Sequence, residues 1–282
     1  MRCLLSGLLL VWSLLSVKAQ GELPQEAAEA VRIGKLLYRS EVASWHGTDI
    51  LMQHHRDLMP LIGGYFSYAE GDRTICLFFS KDADPTALVR FVFDQSLESS
   101  AADTDTARSP LTEVEQALFS IRQSAMDLVR TDDMFKFYER MNFNLIPVID
   151  GKQRQVYILS GPKESGLVVL GNDYLITFDK SNKVKEKRSL HKNILIFEEP
   201  EEGTEVSTTM HSHVPETGEY ITATDICTLM LYAGIAGWPQ HIVMSHKSVS
   251  IWDCKKQELM VMDRAVWEKI YKDQEERHPT ER

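Results

Sequence analysis

Two histidines one residue apart, His211-Ser212-His213, stand a turn-rich loop ahead of Thr222-Ala223-Thr224-Asp225. The residues before His211 are β-prone, and on a strand the side chains at i and i+2 share a face. His211 and His213 therefore point the same way, and Ser212 the other. Asp225 falls in the first turn of an apolar-periodic segment that reads as a helix. Two imidazoles and a carboxylate then converge on one ion. Three N/O ligands with an open fourth position form the donor set of a catalytic zinc site. The chemistry of such a site is attack on a carbonyl by a metal-bound water of lowered pKa. A carboxylate general base would take and return the proton. Each residue also has a plainer reading. The two histidines suit the polar side of a half-exposed strand, and Thr222-x-x-Asp225 spells a helix N-cap favoured by the dipole.

The remaining histidines offer less. His54 and His55 are adjacent on a helix, about 100° apart, and make a poor ligand pair. His241 and His246, read as lying on one straight strand, fall on opposite faces. His191 precedes a strand, and nothing in its spacing ties it to the cluster. Asp173, in Gly171-Asn172-Asp173-Tyr174, is a second carboxylate that could approach it, although it suits a turn at a strand start equally well. The run Glu198-Glu199-Pro200-Glu201-Glu202 lacks the spaced acids and glycine of a calcium loop. The sequence has no P-loop, no dinucleotide-binding glycine fingerprint and no G-x-S-x-G elbow.

The order of elements resembles the JAB/MPN (JAMM) metalloproteases over about residues 155–262. That family carries H-x-H-x7-S-x-x-D, with the histidines on a strand and the Asp on the next helix. Here the loop is one residue longer, and Thr222 stands where the family has Ser. The resemblance implies that His211, His213 and Asp225 bind zinc, that Thr222 supports the oxyanion, and that an upstream Glu works through the metal-bound water. Glu164 takes that last place, by its distance from Gly171. An amide or isopeptide substrate is implied as well. The reading is therefore a zinc-dependent hydrolase of peptidase or isopeptidase type. The alternative is a non-catalytic extracytoplasmic binding or structural protein with a degenerate metalloprotease-like fold.

Around this centre, the N-terminus has a secretory texture. Arg2 precedes an apolar run that is too short for the ~20 residues of a span. Val17-Lys18-Ala19 then offers a cleavage site. Residues 1–19 are expected to be a signal peptide, and the mature chain a periplasmic or secreted protein with no stable membrane span. The net charge of −10 becomes −12 once Arg2 and Lys18 leave with it. An acidic chain without basic blocks argues against nucleic acid, so the expected partner is a peptide or protein. Cys76, Cys227 and Cys254 would remain, too few for a disulfide framework. One bridge, Cys227–Cys254, is permitted; the other reading is three small buried hydrophobes.

The elements read as follows: a helix over 24–62 ending at Gly63-Gly64, a hairpin about Glu70-Gly71-Asp72, and a third strand ALVRFVFD. A polar linker then runs to Pro110, and a helix capped by Thr112-x-x-Glu115 continues to about Tyr138. Dense strands follow from Phe143, then the histidine strand, a helix over 224–238, further strands and a closing helix. The class is α+β, a mixed sheet flanked by helices. The expected parts are an N-terminal α+β region over 20–108, a JAB/MPN-like domain over 109–276 and a tail over 277–282.

Overall fold

The computed structural model describes residues 22–198 and 206–277. The signal-like segment, the acidic run from Glu199 to Glu202 and tail residues 278–282 lie outside the described residues. The fold is α+β. Helix α1 (Gln25–His54) is followed by a short 3-10 turn over Arg56–Leu61, not by helix to residue 62. The regular helix ends at His54, and Pro60, which lacks an N–H for an α-helical ladder, lies within the 3-10 turn. Gly63 and Gly64 do not break the chain into a loop. They sit inside strand β1 (Ile62–Glu70), where a Cβ on Gly64 would lie 2.7 Å from the Phe79 ring.

Strands β1, β2 (Arg73–Ser80), β3 (Thr86–Phe93) and β4 (Asp103–Asp105) form an antiparallel sheet in that order, with β5 (Ser109–Pro110) also paired to β3. The stretch expected to be a linker thus supplies two short edge strands. Helix α2 (Glu113–Thr131) starts at the expected capping box: Thr112 and Glu115 bond each other's backbone N–H. It ends seven residues before Tyr138, at Thr131. Glu115 is fully buried, where it also takes two bonds from Arg90 and one from Tyr68.

A second antiparallel sheet has the order β10 (Val184–Ser189), β9 (Tyr174–Phe178), β7 (Gln153–Pro162), β6 (Met141–Asp150). Strands β8 (Leu167–Gly171) and β11 (Ile194–Glu198) pair separately. The last sheet has the order β12 (Thr209–Ser212), β13 (Gln240–Met244), β14 (Ser248–Asp253), β15 (Glu258–Asp263). Its first pair is parallel, and helix α3 (Ala223–Tyr232) forms the crossover that a parallel pair requires. The segment read as one strand, 241–254, is a hairpin turning at Ser245–Lys247. Helix α4 (Arg264–Arg277) closes the chain.

One apolar cluster joins α1, β2, β3, β6, β7 and α3, through residues such as Leu37, Phe91, Ile146 and Cys227. A second packs α2 on the two antiparallel sheets, and a third seats α3 on the last sheet around Trp252. Helices α1 and α3 approach so closely that a Cβ on Gly34 would lie 2.7 Å from Ile226 Cβ. The three cysteines among the described residues are unpaired; Cys76 and Cys227 are buried and Cys254 half-buried, so Cys227 and Cys254 form no bridge. Among the described residues no helix is long and apolar enough to cross a membrane.

Candidate metal centre

Three segments deliver four ligand atoms to one point. Strand β12 lies against β13, and the His213 N–H continues the pairing by donating to the Met244 carbonyl at 2.9 Å. This keeps His211 and His213 in extended backbone, their rings on the same side. Helix α3 starts where the Ile221 N–H donates to Ser250 Oγ at 3.1 Å, which ties its first turn to β14. Asp225 is the third residue of that turn and is fully buried. The connection from β10 to β11 brings His191. It is clamped on the β8–β9 turn by Leu190 N–H to Asp173 O at 2.8 Å and Asn172 N–H to Asn193 O at 3.0 Å. That turn needs left-handed backbone at Gly171 (φ +84°), and a Cβ there would collide with the Asn193 carbonyl.

The ligand atoms of His191, His211, His213 and Asp225 all lie within 4.8 Å of one another. His211 Nε2 is 2.9 Å from His213 Nε2, and His191 Nε2 is 3.3 Å from His213 Nε2. Asp225 Oδ1 stands 3.3 Å from His191 Nε2 and 3.8 Å from His211 Nε2; Oδ2 is 3.3 Å from His213 Nε2. A tetrahedral ion with bonds of ~2.0–2.2 Å separates its ligands by about 3.3–3.6 Å. The observed edges bracket that spacing. All four residues are buried.

The surroundings also call for a cation. Asp225 Oδ2 accepts from the Thr222 N–H at 3.0 Å and the Thr222 hydroxyl at 2.8 Å. Its Oδ1 is buried with no hydrogen-bond partner, facing the imidazoles. Such an orphaned carboxylate oxygen costs free energy unless a charge meets it. Behind the ligands lies a supporting layer. Asp173 Oδ2 stands 3.3 Å from His191 Nδ1, an ion-pair distance without hydrogen-bond geometry, while its Oδ1 accepts from the Ser160 N–H at 3.2 Å. His211 Nδ1 is 2.8 Å from His241 Nε2, and His241 Nδ1 is 2.7 Å from Thr209 Oγ1. Carboxylate or other acceptors behind metal-binding histidines fix tautomer and ring orientation.

The electrostatics follow from burial. Desolvation pulls His211 down to about 4 and His241 to about 3, so both are neutral at pH 7. Burial works the same way on His191, but Asp225 and Asp173 outweigh it and hold the ring up at about 10. Desolvation would raise Asp225, yet the surrounding histidines hold it well below the usual carboxylate range. Asp173 is raised, chiefly by burial.

The three expected ligands come together, and His191 joins them. The sequence carries no spacing signal for it, since it lies 20 positions before His211. His241 was likewise obscured, because its strand was read as continuing through His246. Glu164 sits elsewhere: it is exposed, ion-paired to Arg140 at 2.8 Å, and not one of the four clustered groups. Thr222 caps α3 and spends its hydroxyl on Asp225 and Thr224. A small cavity of about 80 Å3 opens beside the cluster, lined by His191, His211, Ser212 and Gly171 among others. The arrangement can hold a metal ion. No family model matches the chain, and no curated protein or solved structure matches it either.

Proposed function

We propose that the protein is an exported zinc protein of JAB/MPN-like ancestry, and that its zinc centre is closed by four side chains and not catalytic. The observation that carries this reading is His191. Its Nε2 stands 3.3 Å from both His213 Nε2 and Asp225 Oδ1, so it can supply the fourth donor that a hydrolase leaves to water. Zinc held by four protein ligands is the arrangement of structural sites, whereas hydrolytic sites keep one position open. Three imidazoles and a carboxylate suit zinc among the common divalent ions, although iron or manganese accept the same donors. The loss of the other catalytic parts agrees. Glu164 is engaged with Arg140 at the surface, and the Thr222 hydroxyl is committed to the helix cap. The strand–helix–strand order around His211 and Asp225 supports the JAB/MPN likeness. The short apolar leader supports export and an extracytoplasmic protein partner.

The hydrolase reading rests on one observation, the cavity reaching His191 and His211. In that reading His191, His211, His213 and Asp225 would hold the ion, and a water or a carbonyl would reach it from that side. Elemental analysis of the mature protein, paired with a peptide and isopeptide cleavage screen, separates the two. Stoichiometric zinc without turnover supports the closed centre. Zinc-dependent cleavage supports the hydrolase, and a protein that binds no divalent metal overturns both.

A further inference from the structure

A second polar cavity, of about 80 Å3, lies where β1 and β6 meet between α1 and α2. These strands are the facing edges of the two antiparallel sheets, in contact but not joined by a ladder. Glu41 and Arg122 line the cavity from opposite helices. Glu41 is buried, and one of its oxygens accepts from Asn144 Nδ2 at 2.7 Å. Its other oxygen takes no hydrogen bond from a described residue. Arg122 forms no ion pair with any described carboxylate, and its Nε is buried without a partner. The two charges influence one another across the space but do not touch. Around them stand Ser44, whose hydroxyl bonds Ser67 Oγ at 2.7 Å, and the half-exposed rings of Trp45 and Tyr65.

A buried Glu41 and a half-buried Arg122 left apart carry desolvation costs with little Coulomb return. A guest that meets both charges removes both costs. With Glu41 ionised, as above about pH 7, an anion alone would neutralise Arg122 and repel Glu41, and a cation alone would do the reverse. We infer that this cavity binds a small zwitterion, an α-amino acid whose carboxylate faces Arg122 and whose ammonium faces Glu41. The size fits: the space holds roughly five to eight non-hydrogen positions, and glycine needs about five. Side chains of larger amino acids would pass between Trp45 and Tyr65. Charge-assisted bonds at both ends supply the specificity, since each half-ligand would leave one charge unmet.

The test is calorimetric titration at pH 8, above the value of about 7 to which burial raises Glu41, of the mature, full-length protein with glycine, alanine, acetate and methylamine. Saturable binding of both amino acids is expected, with acetate and methylamine at least tenfold weaker. Glu41→Gln and Arg122→Met should each weaken glycine tenfold or more, and a metal chelator should leave glycine binding unchanged. The half-ligand comparison is made on the unaltered protein, so it stands even where a variant does not fold. No saturable binding of either amino acid overturns the inference and leaves a hydrated seam between sheets. Acetate binding as tightly as glycine also overturns it, since the site would then read only the anion.

Discussion

At the scale of single residues, the protonation pattern of the metal centre follows from one requirement. A histidine that binds a cation through Nε2 must carry its proton on Nδ1. His211 then donates from Nδ1 to His241 Nε2, and His241, protonated on Nδ1, donates to Thr209 Oγ1. His241 therefore acts only through His211, as an acceptor of fixed orientation. Replacing it with Leu should lower zinc affinity about 10–100-fold, the usual cost of losing such a partner. His241→Gln, whose amide oxygen can accept the same bond, should retain most of the affinity. Competition titration against a chromophoric chelator measures both, and the ligand-field spectrum of the cobalt-substituted protein reports whether the coordination geometry survives. Equal losses in the two variants would reduce His241 to a packing residue. The sequence made part of this centre legible. The i, i+2 spacing on a β-prone segment and an acid in a helix's first turn are local signals, and His211, His213 and Asp225 carried them. His191 and His241 reach the centre through tertiary contacts, a loop clamp and a neighbouring strand, which no local period records.

Among the elements, α3 carries two duties at its first turn. Thr222 caps the helix and also holds Asp225 Oδ2, so that Oδ1 faces the imidazoles. Thr222→Ala should cost about 1 kcal/mol of stability, as lost caps do. It should also weaken zinc, because Asp225 keeps only its backbone donor. Chemical denaturation with and without zinc separates the two losses. A different pH dependence belongs to α1. Burial raises Glu41 to about 7, against the help of Asn144 and Arg122. The folded state therefore keeps this proton where the unfolded chain, with a carboxyl near ~4.3, has lost it. Its contribution to stability is full below about 4.3 and is lost as pH rises through about 7, a change of a few kcal/mol at most. Glu41→Gln should flatten that slope and be the more stable form at pH 8, as read by thermal melts of ligand-free protein across pH 4–8. A slope unchanged by the substitution would show that Glu41 stays ionised in the fold. Helix and strand types were legible from periodicity and from the Thr112–Glu115 capping box. Ends were less so. Helix α1 passes into a 3-10 turn after His54, and two glycines expected to be a break fit a strand, Gly63 close against the Ser80–Lys81 backbone and Gly64 against the Phe79 ring.

For the whole molecule, the centre joins parts that the chain keeps far apart. His191 comes from the connection between the second antiparallel sheet and the β8–β11 pair, whereas His211 and His213 come from the last sheet and Asp225 from the helix above it. Helix α3 in turn packs on α1 from the N-terminal region, so a contact made at Gly34 and Ile226 links both ends of the fold. Gly34→Val would push these helices apart and should destabilise the protein by about 1–3 kcal/mol, as overpacking does, measured by denaturant midpoint. An ion bound only by the folded state stabilises it by mass action, about 2.7 kcal/mol at a hundredfold excess over its Kd. For a chain of this size that is a rise of roughly 5–10 °C in melting temperature. Chelation should reverse it. His191→Ala gives the sharpest reading of the same experiment. In a centre closed by four side chains, this variant loses the fourth ligand, so zinc affinity falls and the thermal gain shrinks with it. In a hydrolase whose fourth position belongs to water, His191→Ala keeps zinc at the unaltered affinity and keeps the thermal gain, and only turnover changes. Retained zinc in His191→Ala, together with peptide cleavage by the zinc-loaded parent, would overturn the closed centre in favour of the hydrolase.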